Sequence, residues 1–237
     1  KDIQIVGDIP IYVSPDGADL WANPELFELD EQNLPNRIAG CPPDGFNADG
    51  QVWGNPLYRW QYHQQTGYQW WVTRMWYCHK IYDVVRIDHF RGFDEYFAIP
   101  VSTGLAKDGQ WEKGPGIELF NALKANLGER GVIVEDLGFM TDSVRQLVEQ
   151  TGYPNMKVLQ FGFDVDDVAG ANEYNPHNYI NNCYVYTGTH DNETLHGWFM
   201  GMPKARKKLI RTYLSDDYTP DEQMYKKLID IAMTSEA

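Results

Sequence analysis

Cysteine is scarce. Cys41, Cys78 and Cys183 are odd in number, widely spaced and never form a CxxC, which excludes a disulfide framework and offers no zinc site. Positive charge is scarce too: 20 Lys and Arg face 34 Asp and Glu, a formal net charge of −14. Phosphate backbones and anionic membrane surfaces need clustered cations, so neither nucleic acid nor a membrane is expected as a partner. The one basic stretch, Lys204 to Arg211, reads as a solvated helix face. No apolar run approaches the length of a bilayer span and nothing resembles a signal peptide, so a reducing, cytoplasmic location is expected. The glycine fingerprint of dinucleotide sites is missing, because Gly114-x-Gly116 is followed by Leu119 where the third glycine belongs. There is no Gly-x-Ser-x-Gly elbow. Asp164-x-Asp166 begins like a calcium loop, but Val168 and Ala169 occupy the positions of a ligand and of the turn glycine. Neither a cofactor nor a metal is expected.

What is present is a core and a surplus of rings. Of 237 residues, 43% are hydrophobic and 14% aromatic, including 8 Trp and 15 Tyr, enough to fill one large domain and leave aromatic faces for a ligand. Apolar, β-branched runs at Ile3 to Val13, Asp83 to Ile87, Gly131 to Val134, Lys157 to Phe163 and Cys183 to Thr187 read as strands buried on both faces. Between them, Tyr68 to Tyr82, Ile117 to Glu129 and Thr141 to Gln150 have helical character, with Thr141 as N-cap. Lys204 to Leu214 and a capping-box start at Thr219-Pro220-Asp221-Glu222, leading into Met224 to Met233, place further helices at the end. Strands alternating with helices predict an α/β chain with a parallel sheet.

With the nucleotide fingerprint absent, a (β/α)8 TIM barrel is preferred over an open sheet. Five strands are too few to close one, so the chain is expected to be an incomplete barrel, about strands 3 to 7, with the remainder outside it. The start at Lys1-Asp2-Ile3 without a Met agrees with missing upstream sequence. Residues 1–237 are thus expected to form one partial catalytic barrel. The stretch 14–62, rich in Pro, Gly, Asn and aromatics, reads as an enlarged βα loop at the ligand-binding end.

Candidate strands end in charged clusters: Gly7-Asp8, Arg86-Ile87-Asp88-His89, Glu135-Asp136 and His190-Asp191-Asn192-Glu193. Acids at the carboxyl ends of several parallel strands converge on one spot, where a single one would read as a cap or a loop salt bridge. Glycoside chemistry needs one carboxylate to attack the anomeric carbon and one protonated group for the leaving oxygen. Asp88 lies two residues beyond Arg86, on the same face of an extended strand, so the guanidinium can hold it ionised as a nucleophile. Glu135 directly follows Val132-Ile133-Val134, where desolvation raises a carboxyl toward the range of a general acid. His190 and Asp191 are candidates for binding sugar hydroxyls and favouring ring distortion.

The strings Gly7-Asp8-Ile9-Pro10-Ile11, Trp53-Gly54-Asn55-Pro56-Leu57-Tyr58, Arg86-Ile87-Asp88-His89-Phe90-Arg91-Gly92, Glu135-Asp136-Leu137-Gly138 and Gly188-Thr189-His190-Asp191-Asn192 resemble those of 4-α-glucanotransferases of glycoside hydrolase family 77, from Ile3 to Phe199. The resemblance implies an α-amylase-type barrel with Asp88 as nucleophile, Glu135 as acid/base and Asp191 as transition-state stabiliser. It assigns Asp8, Arg86 and His190 to sugar binding, Asp44 to a loop overhanging the cleft, Trp53 to the acceptor side and Phe161 to the donor sugar, although spacing alone makes Phe161 a core residue. The implied partners are an α-1,4-glucan donor and a glucose or maltooligosaccharide acceptor. It also implies a barrel that begins upstream of Ile3 and continues beyond Ala237. A plain α-glucan hydrolase and a noncatalytic glucan-binding module remain as alternatives.

Overall fold

The computed structural model describes residues 2–43, 48–138, 140–163 and 172–237. Asp44 and the Asp164-x-Asp166 stretch lie outside the described residues. The chain divides into two compact units, Lys1–Tyr153 and Pro154–Ala237. No helix among the described residues is long and apolar enough to cross a membrane.

The first unit carries β1 (Val6–Ile9), α1 (Ala18–Ala22), β2 (Arg37–Cys41), β3 (Gln51–Pro56), α2 (Trp60–Gln65), α3 (Gln69–Ile81), β4 (Val84–Ile87), β5 (Glu95–Pro100), β6 (Gln110–Lys113), α4 (Ile117–Leu127), β7 (Gly131–Val134) and α5 (Asp142–Thr151). Strands β1, β4 and β7 form a parallel sheet in that order, with Asp8 paired to Arg86 and Arg86 to Ile133. All four residues of β4 are buried, as a central parallel strand covered on both faces requires. Gly7 is needed where it stands, because a Cβ there would fall 2.1 Å from the Tyr82 ring at the end of α3. The core of this unit includes the buried aromatics Tyr58, Trp71, Phe90, Phe93 and Phe120. A second, antiparallel sheet runs β3-β2-β5-β6. Arg37 of β2 is bound there by Glu28 and Glu112.

The second unit contains the parallel pair β8 (Asn155–Val158) and β9 (Cys183–Tyr186), then α6 (Leu195–Gly201), α7 (Lys204–Leu214) and α8 (Met224–Met233). Its own core joins Leu159 and Phe163 to Phe199, Ile210, Met224 and Leu228.

The strand and helix order is the expected α/β alternation, with instructive departures. The run Ile3 to Val13 yields a strand of only four residues, ended by Pro10, which has no N–H for a ladder. The run Lys157 to Phe163 stops being a strand at Val158 and turns into a 3-10 helix over Leu159–Phe163. Thr141 caps α5, its hydroxyl accepting from the Val144 N–H at 3.3 Å. The capping box expected at Thr219 is not formed. Asp216 takes the Thr219 N–H and hydroxyl at 2.8 and 2.7 Å, and the chain enters α8 through a 3-10 turn at Asp221–Gln223. Asp221 instead binds Lys207 and Arg211 of α7. Within 14–62 the chain forms α1, a 3-10 turn at Pro24–Leu26, β2, β3 and the start of α2.

Candidate active site

The pairing of β1, β4 and β7 places Ile9, Ile87 and Val134 in one row, so the residues that follow emerge together at the carboxyl ends. The ladder continues one step further: the Asp88 N–H donates to the Ile9 carbonyl at 2.9 Å and the Glu135 N–H to the Ile87 carbonyl at 3.0 Å. Both acids therefore leave the sheet from fixed backbone. Arg86, one step inside the row, is a buried guanidinium whose Nη1 lies 2.7 Å from both Asp8 oxygens and whose Nη2 lies 3.2 Å from Asp88 Oδ1. Burial works against its charge, but the Asp8 hydrogen bond and the charges of Asp8, Asp88 and Glu135 outweigh burial and raise its pKa. The two aspartates are half-exposed and share one cation.

Glu135 sits in a different environment a few atoms away. Burial, and then the negative charge of Asp88, push its carboxyl up to about 7, against the opposing pull of the His89 and Leu137 N–H groups and of Arg86. The His89 N–H donates to Oε2 at 2.7 Å and the Leu137 N–H to Oε1 at 3.0 Å, so each oxygen is held by one backbone donor. One carboxylate stabilised by a cation beside one carboxyl poised near neutrality is the split that an ionised attacker and a proton donor require.

Around this pair lies a cavity of about 320 Å³ lined by Pro10, Ile11, Tyr12, Trp53, Asn55, Asp88, His89 and Glu135. Trp53 meets the His89 ring edge-on at 4.8 Å. Asn55 is tied to the wall through the Val13 carbonyl at 2.8 Å. The cavity thus gathers Asp88, Glu135 and Trp53, and Asp8 and Arg86 join them through the ion-pair chain. Tyr12, Asn55 and His89 were not singled out by sequence reasoning. Asn55 and His89 lie inside the strings quoted above and Tyr12 directly follows one of them, and that adjacency was the available signal.

The remaining candidates among the described residues belong to the second unit. His190 and Asp191 follow β9 in a turn in which the Thr189 N–H donates to Asn192 Oδ1 and the Asp191 N–H to the Thr189 hydroxyl. Their side chains are 73% and 81% exposed and lie 3.5 Å apart. Phe161 is 40% exposed and meets Tyr174 edge-on at 5.4 Å. It is not the core residue that spacing alone predicts, because the 3-10 turn after Val158 rotates it outward while Gly162 and Phe163 turn in.

The family model described as 4-alpha-glucanotransferase, glycoside hydrolase 77, matches residues 1–237. This chain belongs to the 4-alpha-glucanotransferase family. It is 53% identical over 197 residues to a 4-alpha-glucanotransferase of Streptococcus pneumoniae serotype 4, covering 83% of this chain and 38% of that protein. With 4-alpha-glucanotransferases of Clostridium butyricum and Thermus thermophilus it shares 45% and 43% identity, over 90% and 99% of this chain and 44% and 47% of theirs. The amylomaltase of Streptococcus agalactiae, solved in complex with acarbose, superposes with a TM-score of 0.93 at 41% identity, covering 99% of this chain and 46% of that one. The chain spans less than half the length of these relatives.

Proposed function

We propose that the protein to which this chain belongs is a retaining 4-α-glucanotransferase that moves a segment of an α-1,4-glucan to the 4-hydroxyl of glucose or another glucan. The observation that carries this reading is the contrast between Asp88, paired with Arg86, and Glu135, buried and raised to about 7. Asp88 attacks the anomeric carbon while the Glu135 carboxyl gives its proton to the departing glycosidic oxygen, leaving a glycosyl ester on Asp88. Glu135, now ionised, takes the proton of the acceptor hydroxyl as that oxygen displaces Asp88. Asp8 shares the Arg86 cation, and Trp53 offers a ring to an acceptor sugar. His190 and Asp191 are assigned to holding sugar hydroxyls around the oxocarbenium-like transition state, Phe161 to the donor sugar and Asp44 to a loop over the cleft. We read both units as parts of one α-amylase-type (β/α)8 barrel, with 14–62 as its enlarged active-site loop region. Three thiols and no disulfide favour a cytoplasmic location.

Product analysis of the full-length protein with maltotriose tests the reaction. Glucose together with oligomers longer than maltotriose is the expected outcome; glucose and maltose alone would make the enzyme a hydrolase.

A further inference from the structure

The reaction as proposed leaves His89, which lines the cavity, without a task. His89 is in the left-handed conformation, with φ 51° and ψ 51°, a region that few side-chain-bearing residues occupy without a reason in the surrounding structure. The consequence of that reversal is local. The N–H of His89 reaches Glu135 Oε2 at 2.7 Å, and the next N–H, of Phe90, reaches the Glu135 carbonyl oxygen at 3.0 Å. Two successive donors of one turn thus grip a single residue of the neighbouring strand by its side chain and its backbone, as consecutive N–H groups do in an anion-binding concavity. Extended backbone at position 89 points successive N–H groups to opposite sides and cannot make both bonds.

The imidazole packs closely beside the turn. Trp53 closes on it edge-on, and on another side stands Gly92, where a Cβ would lie 3.2 Å from His89 Cδ2 and 2.7 Å from Ile11 Cδ1. Burial, and then the charge of Arg91, lower the ring's pKa to about 4, so the ring brings no positive charge beside Glu135 at neutral pH. The charges that act on Glu135 are Asp88 and Arg86, both from the neighbouring strand and the turn that follows it.

We propose that His89 is a positioning residue: by holding the left-handed turn at the end of β4, its backbone N–H fixes Oε2 of Glu135 in the orientation from which the proton is delivered. The inference rests on the acid/base assignment of Glu135. It makes the backbone conformation at position 89, rather than the chemistry of the imidazole, the quantity that matters.

The test uses the full-length protein with His89→Asn, His89→Gly and His89→Val. Asn and Gly accept the left-handed region, whereas a β-branched residue is driven out of it. Loss of the N–H to the ionised carboxyl raises its pKa, so in His89→Val the basic limb of the kcat/KM profile should move up by about one pH unit. In that variant kcat should fall about tenfold or more with KM little changed, while Asn and Gly stay within about threefold of the parent. Carboxyl 13C NMR titration of Glu135 reads the same shift without turnover. Should His89→Val fail to fold, His89→Ala gives a smaller shift of the same sign. Equal losses in Asn, Gly and Val would show that the imidazole itself is required, and an unmoved limb and titration in Val or Ala would remove the positioning role; either overturns the proposal. A Glu135→Gln variant that keeps its turnover and its basic limb would instead overturn the acid/base assignment, and the NMR titration of the His89 variants then decides the positioning role separately.

Discussion

The same sequence pattern, an apolar strand followed by an acid, has two outcomes in this chain. In the first unit Asp88 and Glu135 come immediately after β4 and β7, and the pairing of those strands forces each to feel the other and to share Arg86. In the second unit Thr187, Gly188 and Thr189 intervene between β9 and the His190-Asp191 pair, which stands in a hydrogen-bonded turn largely in water. Its partner strand β8 runs into Leu159 and the uncharged Gln160, whose amide is spent on the Glu193 carbonyl at 2.8 Å. A strand-end acid is therefore tuned by what the adjacent strand carries at the same level and by how few residues separate it from the sheet. One cluster is built to perturb its members, and the other to present them.

The hardest way to break the comparison is to remove the attacker. With Asp88→Asn, turnover in the full-length protein should fall by about ten-thousandfold or more, and no glycosyl adduct should be found by mass spectrometry of acid-quenched enzyme. Retained turnover would take Asp88 out of the nucleophile's role. Next comes Glu135→Gln, which removes the proton donor and should cost roughly a hundred- to ten-thousandfold in kcat. The same substitution should act on stability in the opposite direction. The folded-state pKa of Glu135 lies above its ordinary value of 4.5, so ionisation favours the unfolded chain, and stability is lost as pH rises from about 4.5 through about 7. Gln removes that cost. Urea denaturation should find the variant more stable than the parent at pH 8 by on the order of 2 kcal/mol, and level with it at pH 4. A variant equally stable at both would mean that Glu135 is not buried as a strained carboxylate.

How far the sequence could be read depends on the range of the interactions involved. The parallel strands and α3, α4 and α5 were legible because Val84 to Ile87 is apolar but for Arg86, Val132 to Val134 is an unbroken apolar run and Thr141 is a local cap. The antiparallel sheet was not. Gly40 and Gly54 interrupt β2 and β3, their faces are only half-buried, and the pairing of β2 with β5 spans some sixty residues that no local period reports. Asp88 and Glu135 could be found because each directly ends such a run. The places of Tyr12, Asn55 and His89 in the cavity depend on hydrogen bonds to backbone and ring contacts across strands, and those exist only once the register is set. Thr219 shows the converse error: a local motif matched by spacing lost its hydroxyl to Asp216, three residues away.

A smaller effect sharpens the contrast at its centre. Arg86→Met leaves Asp8 and Asp88 facing each other without their cation, in positions that water still reaches. The destabilisation should be about 1–3 kcal/mol by urea denaturation, below that of a fully buried pair, since both partners keep partial hydration. It should also raise the Glu135 titration further, because one of the groups lowering it is gone. A Glu135 titration that stayed put would show that Arg86 has no part in setting it.

The smallest effect belongs to the exposed pair. His190 and Asp191 lie 3.5 Å apart with both side chains mostly in water, where hydration and side-chain freedom cancel most of the attraction. A double-mutant cycle of His190→Ala and Asp191→Asn should give a coupling to folding of less than about 0.5 kcal/mol. The same Asp191→Asn change should nevertheless lower turnover, by roughly a hundredfold, if the residue contacts the transition state as proposed. Loss of activity without loss of stability is what separates a presented group from a packed one. A coupling near 2 kcal/mol would mean that the second cluster is as tightly built as the first, and the contrast between the two strand ends would not hold.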